Sequence, residues 1–81
     1  MPTKVYNPGI VTRPTYTQHA REQMGKRRIS DAEVEDVLAN FHTSYTDRKG
    51  NPIYIGRPNG RRIKVVVVKG STPPHIITAG D

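Results

Sequence analysis

Metal-independent cleavage of RNA needs a base to take the 2′-OH proton, cations or N–H donors for the charge that builds on the phosphorane, and an acid for the 5′-oxygen. This chain carries residues of those kinds in separate segments. His19 is the candidate base or acid, Arg62 and Lys64 are the candidate phosphate cations, and Thr78 or Tyr54 is the candidate hydroxyl donor. Each also has a plainer account. His19 fits a helix-capping or partly buried structural histidine, and Thr78 is a good strand residue. His42 belongs to a loop, and His75, after Pro73-Pro74, holds a turn. The three histidines fall in different elements with no carboxylate spaced to complete a set, so neither a metal nor a cofactor is expected. Gly56, Gly60 and Gly70 read as turn glycines rather than a phosphate loop.

The elements that position these residues follow from local signals. Ser30 and Glu33 form a capping box, with Ile29 and Val34 as a staple, so a second helix starts at Ser30 and runs to Asn40. Its Val34, Val37 and Leu38 share one face. Thr17 is the candidate N-cap of a first helix over about residues 17–27, with Ala20 and Met24 inward and Gly25 marking its end. Strand signals follow at Thr43–Thr46, Ile53–Ile55, Arg62–Lys69 and His75–Ala79. Asn59-Gly60 predicts a two-residue type I′ hairpin. That register pairs Arg57 with Arg62, Ile55 with Lys64 and Ile53 with Val66 on one face, and leaves Tyr54, Ile63, Val65 and Val67 on the face under the helices. Residues 1–15, with Pro2, Pro8, Gly9 and Pro14, read as an extended arm holding at most a short strand at residues 9–13. Residues 16–81 then form a single α+β domain, two helices on a three- to four-stranded antiparallel sheet.

Charge adds a second line of argument. The chain of 81 residues has a net charge of +6. Residues 1–40 hold six bases against five acids, and residues 41–81 hold seven bases against Asp47 and Asp81. The excess therefore lies on the sheet half, where Arg57, Arg61, Arg62 and Lys64 are expected to form one positive surface, joined by Lys26 and Arg27. A basic half of this kind points to a polyanion, most often RNA or another nucleic acid. A basic helix end also has a local purpose, complementing the helix dipole, which covers Lys26 and Arg27 but not the sheet cations. Cysteine is absent and the longest apolar run is four valines, so the expected setting is reducing and cytoplasmic, with no membrane span.

The pattern Tyr16-Thr17-x-His19-Ala20-Arg21-x-x-Met24-x-x-Arg27-x-Ile29-Ser30-x-x-x-Val34-x-x-Val37-Leu38, followed by Asp47-x-x-Gly50, Arg61-Arg62-x-Lys64-Val65-Val66 and Ile76-Ile77-Thr78, resembles a widespread family of small bacterial and phage proteins. Those proteins in turn resemble the RelE/BrnT-type toxin superfamily, grouped with barnase, EndoU and the colicin tRNases. The resemblance implies a RelE-like fold, a toxin-type ribonuclease and an acidic antitoxin as partner. In that superfamily a helix histidine and a last-strand Thr or Ser recur in the site. His19 and Thr78 match those positions, and Arg62 and Lys64 match as sheet cations. The expectation is a metal-independent ribonuclease in which His19 and Thr78 approach each other close to Arg62 or Lys64. The alternatives are a non-catalytic nucleic-acid-binding module and a protein-interaction domain.

Overall fold

The computed structural model describes residues 13–81. The arm expected over residues 1–15, with its short strand at residues 9–13, lies outside the described residues except for residues 13–15. Thr15–Tyr16 form β1, and Thr17 then caps α1, Gln18–Arg27, by accepting from the Ala20 N–H at 3.0 Å. Gly25 does not end this helix. The chain instead turns at Arg28, held at φ 56° in the left-handed region, with the Arg28 N–H donating to the Gly25 carbonyl and the Ile29 N–H to the Met24 carbonyl at 2.9 Å. This crossed pair is a Schellman stop, and its hydrophobic partners, Met24 and Ile29, are both buried. The second helix, α2, Asp31–Asn40, begins with the expected capping box: the Glu33 N–H donates to Ser30 Oγ at 3.1 Å and the Ser30 N–H to Glu33 Oε1 at 2.9 Å.

Four strands follow: β2 (Thr43–Thr46), β3 (Pro52–Gly56), β4 (Ile63–Val67) and β5 (His75–Gly80). They form an antiparallel meander, and β1 adds to its far edge parallel to β5, giving the order β1-β5-β4-β3-β2. Among the described residues the sheet is therefore five-stranded and mixed, where an antiparallel sheet of three or four strands was expected. The extra strand escapes sequence reading because two residues carry no period. It is held by pairing alone, with Thr15 N–H donating to Pro74 O and Thr17 N–H to Ile76 O.

The helix-side core joins Ala20, Met24, Ile29, Val34 and Val37 to Ile63, Val65, Val67, Ile76 and Ala79, as the hairpin register predicts for its β4 members, with Tyr54 of β3 packed against it and partly buried. Leu38 was expected to be buried with Val34 and Val37. It is half-buried at the margin of this cluster, one turn from the end of α2, where it lines a hollow with Tyr54 and Val67. Where α2 crosses β3 the backbone approach is close: a Cβ on Gly56 would stand 3.2 Å from Val37 Cα. Ile53, Ile55 and Val66 are buried too, but outside this cluster, on the face turned away from the helices.

Candidate nucleic-acid interface

The hairpin between β3 and β4 places the cations. The ladder pairs Ile53 with Val66, Tyr54 with Val65 and Ile55 with Lys64, as the sequence predicts, and ends at Gly56 with Ile63. The expected Arg57–Arg62 pair does not form. Pro58 has no N–H to extend the ladder, and the chain makes two successive turns instead, Gly60 N–H to Arg57 O at 3.0 Å and Arg61 N–H to Pro58 O at 3.1 Å. Asn59 and Gly60 still hold the positive φ values that a type I′ turn requires, 57° and 83°. The connection is thus six residues long, and Arg57 and Arg62 flank it, exposed, at the same end of the sheet as Lys64.

Arg61 is the exception among the sheet cations. Its guanidinium donates to the Arg28 carbonyl at 3.0 Å, to the Arg27 carbonyl, and to Asp81 Oδ2 at 2.7 Å. Those carbonyls are the acceptors left over where α1 stops. Arg61 therefore clamps the end of α1 to the hairpin and is not an available phosphate ligand. Asp81, which also lies 3.6 Å from Arg27, has its carboxyl held below the ordinary range, first by the hydrogen bond from Arg61. Arg57, Arg62, Lys64 and Lys26 make no ion pair among the described residues. They are open to a ligand, with Arg27 partly engaged.

The site residues expected to converge do so only in part. Lys64 pairs with Gly80 and Thr78 with Val66, so Lys64 and Thr78 are diagonal neighbours on the face away from the helices. Thr78 is half-buried there and Lys64 exposed. His19 is elsewhere. It is exposed in the first turn of α1, and Thr17, not His19, does the capping. Thr17 Oγ1 also donates to the Ile77 carbonyl at 2.9 Å, which fixes the start of α1 beside β5. The opposite end of α1 lies at Arg61, so His19 and Arg62 stand roughly a helix length apart, about 12–15 Å at 1.5 Å per residue. Among the described residues no hydrogen bond joins His19 to Thr78, Arg62 or Lys64. Tyr54, the other hydroxyl candidate, faces the helix side, where its ring lies 4.8 Å from that of Phe41. His75 and His42 hold local structure: Thr15 Oγ1 is 2.7 Å from His75 Nδ1, and His42 Nδ1 is 2.9 Å from Thr43 Oγ1.

One cluster was not foreseen. Arg21 of α1 binds Asp31 of α2 through two contacts, 2.5 and 3.1 Å, and its guanidinium stacks 3.9 Å from the centre of the Tyr16 ring. The Arg21 hydrogen bond holds the Asp31 carboxyl below its usual range. Burial, reinforced by Asp31 and Glu35, pushes the Tyr16 hydroxyl up to about 12, and its oxygen is buried without a hydrogen-bond partner. The spacing of Arg21 and Asp31 across an interhelical turn gives no periodic signal, so the pair emerges only when the helices are folded together.

At the far end of the sheet from the cations is a hollow of about 580 Å³ walled by Leu38, Phe41, Tyr54, Val67 and Pro74. Arg13, Glu35 and Ser71 add polar groups to this mainly apolar lining. No group of His, Asp or Glu that could hold a metal ion is found among the described residues, and no helix there is long and apolar enough to cross a membrane. A family model described as "Domain of unknown function (DUF4258)" matches residues 16–81, which spans both helices, the meander and the cationic hairpin. The chain belongs to the DUF4258 family. No curated protein and no solved structure matches it. Membership in DUF4258 thus identifies a shared domain without supplying a reaction.

Proposed function

We propose that this DUF4258 domain binds nucleic acid, RNA in the first instance, through the hairpin end of the sheet. The observation that carries the reading is the set of exposed Arg57, Arg62 and Lys64, without an ion pair among the described residues and gathered at one end, on a chain with an excess of basic charge. Cations that satisfy no acid of their own leave a positive field that polyphosphate neutralises, with release of counterions as the driving term. Lys26 and Arg27, at the end of α1 that Arg61 ties to this hairpin, extend the field.

A second reading, a RelE-like metal-independent ribonuclease, is favoured by one feature: Thr78 and Lys64 share the face away from the helices as diagonal neighbours. Two helices followed by an antiparallel meander also suit the RelE-like comparison. In this reading Lys64 steadies phosphate charge beside the Thr78 hydroxyl, and His19 acts only if the RNA chain reaches from the hairpin end to the start of α1. Incubating the purified protein with total RNA in chelator separates the readings. Retention of intact RNA supports the binder. Shortened RNA that disappears in Lys64→Ala and Thr78→Val supports the ribonuclease, and its loss in His19→Ala assigns the base. Failure to retain or cut RNA at low salt overturns both and favours a protein partner, an acidic antitoxin being the kind such a surface fits.

A further inference from the structure

The two edges of the sheet are finished differently. β1 closes its edge by brevity, two residues long. The other edge, β2, offers four exposed residues, Thr43-Ser44-Tyr45-Thr46, with no lysine, no proline and no charge. Proteins that remain monomeric protect such an edge with charge, proline or a bulge, because its free N–H and C=O groups are a template for another strand. The two large apolar side chains most exposed in the described structure lie on or beside this strand, Phe41 at 42% and Tyr45 at 47%.

Charge selects the partner. On α2, Asp31 is taken by Arg21 and Glu33 by the Ser30 cap, which leaves Glu35 and Asp36, and no basic residue complements its last turn, where Asn40 bonds Asp36 at 2.8 Å. The turn after β2 carries Arg48 and Lys49, both exposed, while Asp47 is occupied by the N–H groups of Lys49 and Asn51. One molecule thus presents both halves of a complementary pair on either side of the same edge. We infer that β2 is a self-association edge, on which a second copy of this chain adds its own β2 antiparallel about a two-fold axis to build a ten-stranded sheet.

The register follows from the faces. Thr43 and Tyr45 share one face and Ser44 and Thr46 the other, so a continuous sheet pairs odd positions with odd and even with even. Centring the axis on Ser44 sets Thr43 opposite Tyr45 of the second copy, an aromatic against a β-branched residue, which is a favoured cross-strand pair. The ladder ends where Thr46 meets position 42, so the Arg48-Lys49 turn of one copy follows on toward the C-terminal end of α2 in the other, where a cation is stabilised. Every contact is repeated by the symmetry, as an isologous interface requires.

The test exploits the absence of native cysteine. Directly opposed Cα atoms in an antiparallel pair lie about 4.5–5.5 Å apart, within the roughly 4.4–6.8 Å that a disulfide spans. Ser44→Cys should therefore cross-link to itself under mild oxidation. Thr43→Cys and Tyr45→Cys should cross-link poorly alone and efficiently when mixed. Sedimentation of the unmodified chain should show twice the monomer mass at high concentration, lost in Tyr45→Lys. Arg48→Glu should reduce the Ser44→Cys cross-link, and adding Asp36→Lys should restore it. A chain that stays monomeric at every concentration overturns the inference, even if a foreign strand binds the edge. A dimer with equal cross-linking at all three positions, or one unaffected by Tyr45→Lys, also overturns it, because the contact is then elsewhere.

Discussion

Removing Arg61 distinguishes a structural clamp from a phosphate ligand. In Arg61→Ala, two backbone carbonyls at the end of α1 lose their charged donor and Asp81 loses its main partner. Hydrogen bonds to a charged group contribute about 1.5–3 kcal/mol each when well buried. Here the Arg61 side chain is 32% exposed, so water replaces part of each bond, and the accessible Asp81 pairing adds little. The expected loss is about 2 kcal/mol, a large share of the roughly 4–12 kcal/mol that a domain of this size commands. Urea unfolding followed by far-ultraviolet circular dichroism measures it. With a slope near 1 kcal/mol per molar, the midpoint should fall by about 2 M. Arg61→Lys should recover only a small part of that, since an ammonium cannot span two carbonyls and a carboxylate as a planar fork does. Arg61→Ala with an unchanged midpoint and a clearly weakened RNA affinity would refute the assignment, and Arg61 would then rank with Arg57 and Arg62.

Two glycines should respond in opposite directions to the same change. Gly56→Ala drives a methyl against the Val37 backbone at 3.2 Å and should cost about 1–3 kcal/mol, whereas Gly25→Ala, inside α1 with nothing within 4 Å, should gain about 0.5–1 kcal/mol; both are read from urea midpoints. Tyr16 should titrate near 12 in an absorbance titration, and since its folded value is raised, stability is full below about 10 and declines as pH climbs toward 12. Tyr16→Phe should remove that alkaline decline at little cost to neutral stability, because the hydroxyl makes no hydrogen bond. Asp31, Asp47 and Asp81 are all lowered from 3.8, chiefly by hydrogen bonds from Arg21, the Asn51 N–H and Arg61 respectively, so the stability they contribute is present above pH 4 and drains away as pH falls below it; acid titration of the unfolding midpoint should show that, and Asp31→Asn should shrink it.

What could be read from the sequence was local. The Ser30–Glu33 capping box, the positive φ at Asn59 and Gly60, and the alternation that puts Ile63, Val65 and Val67 under the helices each depend on neighbours within a few residues. Features that depend on distant partners were missed. β1 exists only because β5 lies beside it, and Arg61 looks like its neighbour Arg62 until the end of α1 arrives next to it. The helix end near residue 27 was legible, but not its left-handed stop: Gly25 is the residue type that usually takes that role, yet buried Met24 and Ile29 place it on Arg28. For the candidate site, the register located Lys64 against Ile55 correctly. It could not say that α1 runs along β5 and so carries His19 away from Arg62.

If Arg57, Arg62 and Lys64 neutralise phosphates as proposed, the salt dependence of RNA binding reports it. Affinity for a single-stranded RNA, followed by fluorescence anisotropy over a range of monovalent salt, should fall linearly on a double-logarithmic plot. Each phosphate contact contributes about 0.7 to the slope. The triple variant Arg57→Ala/Arg62→Ala/Lys64→Ala, checked for an unchanged unfolding midpoint, should therefore flatten the slope by about 2. Wild-type and triple-variant slopes that coincide would contradict the account, because the phosphates would then be held elsewhere or not at all.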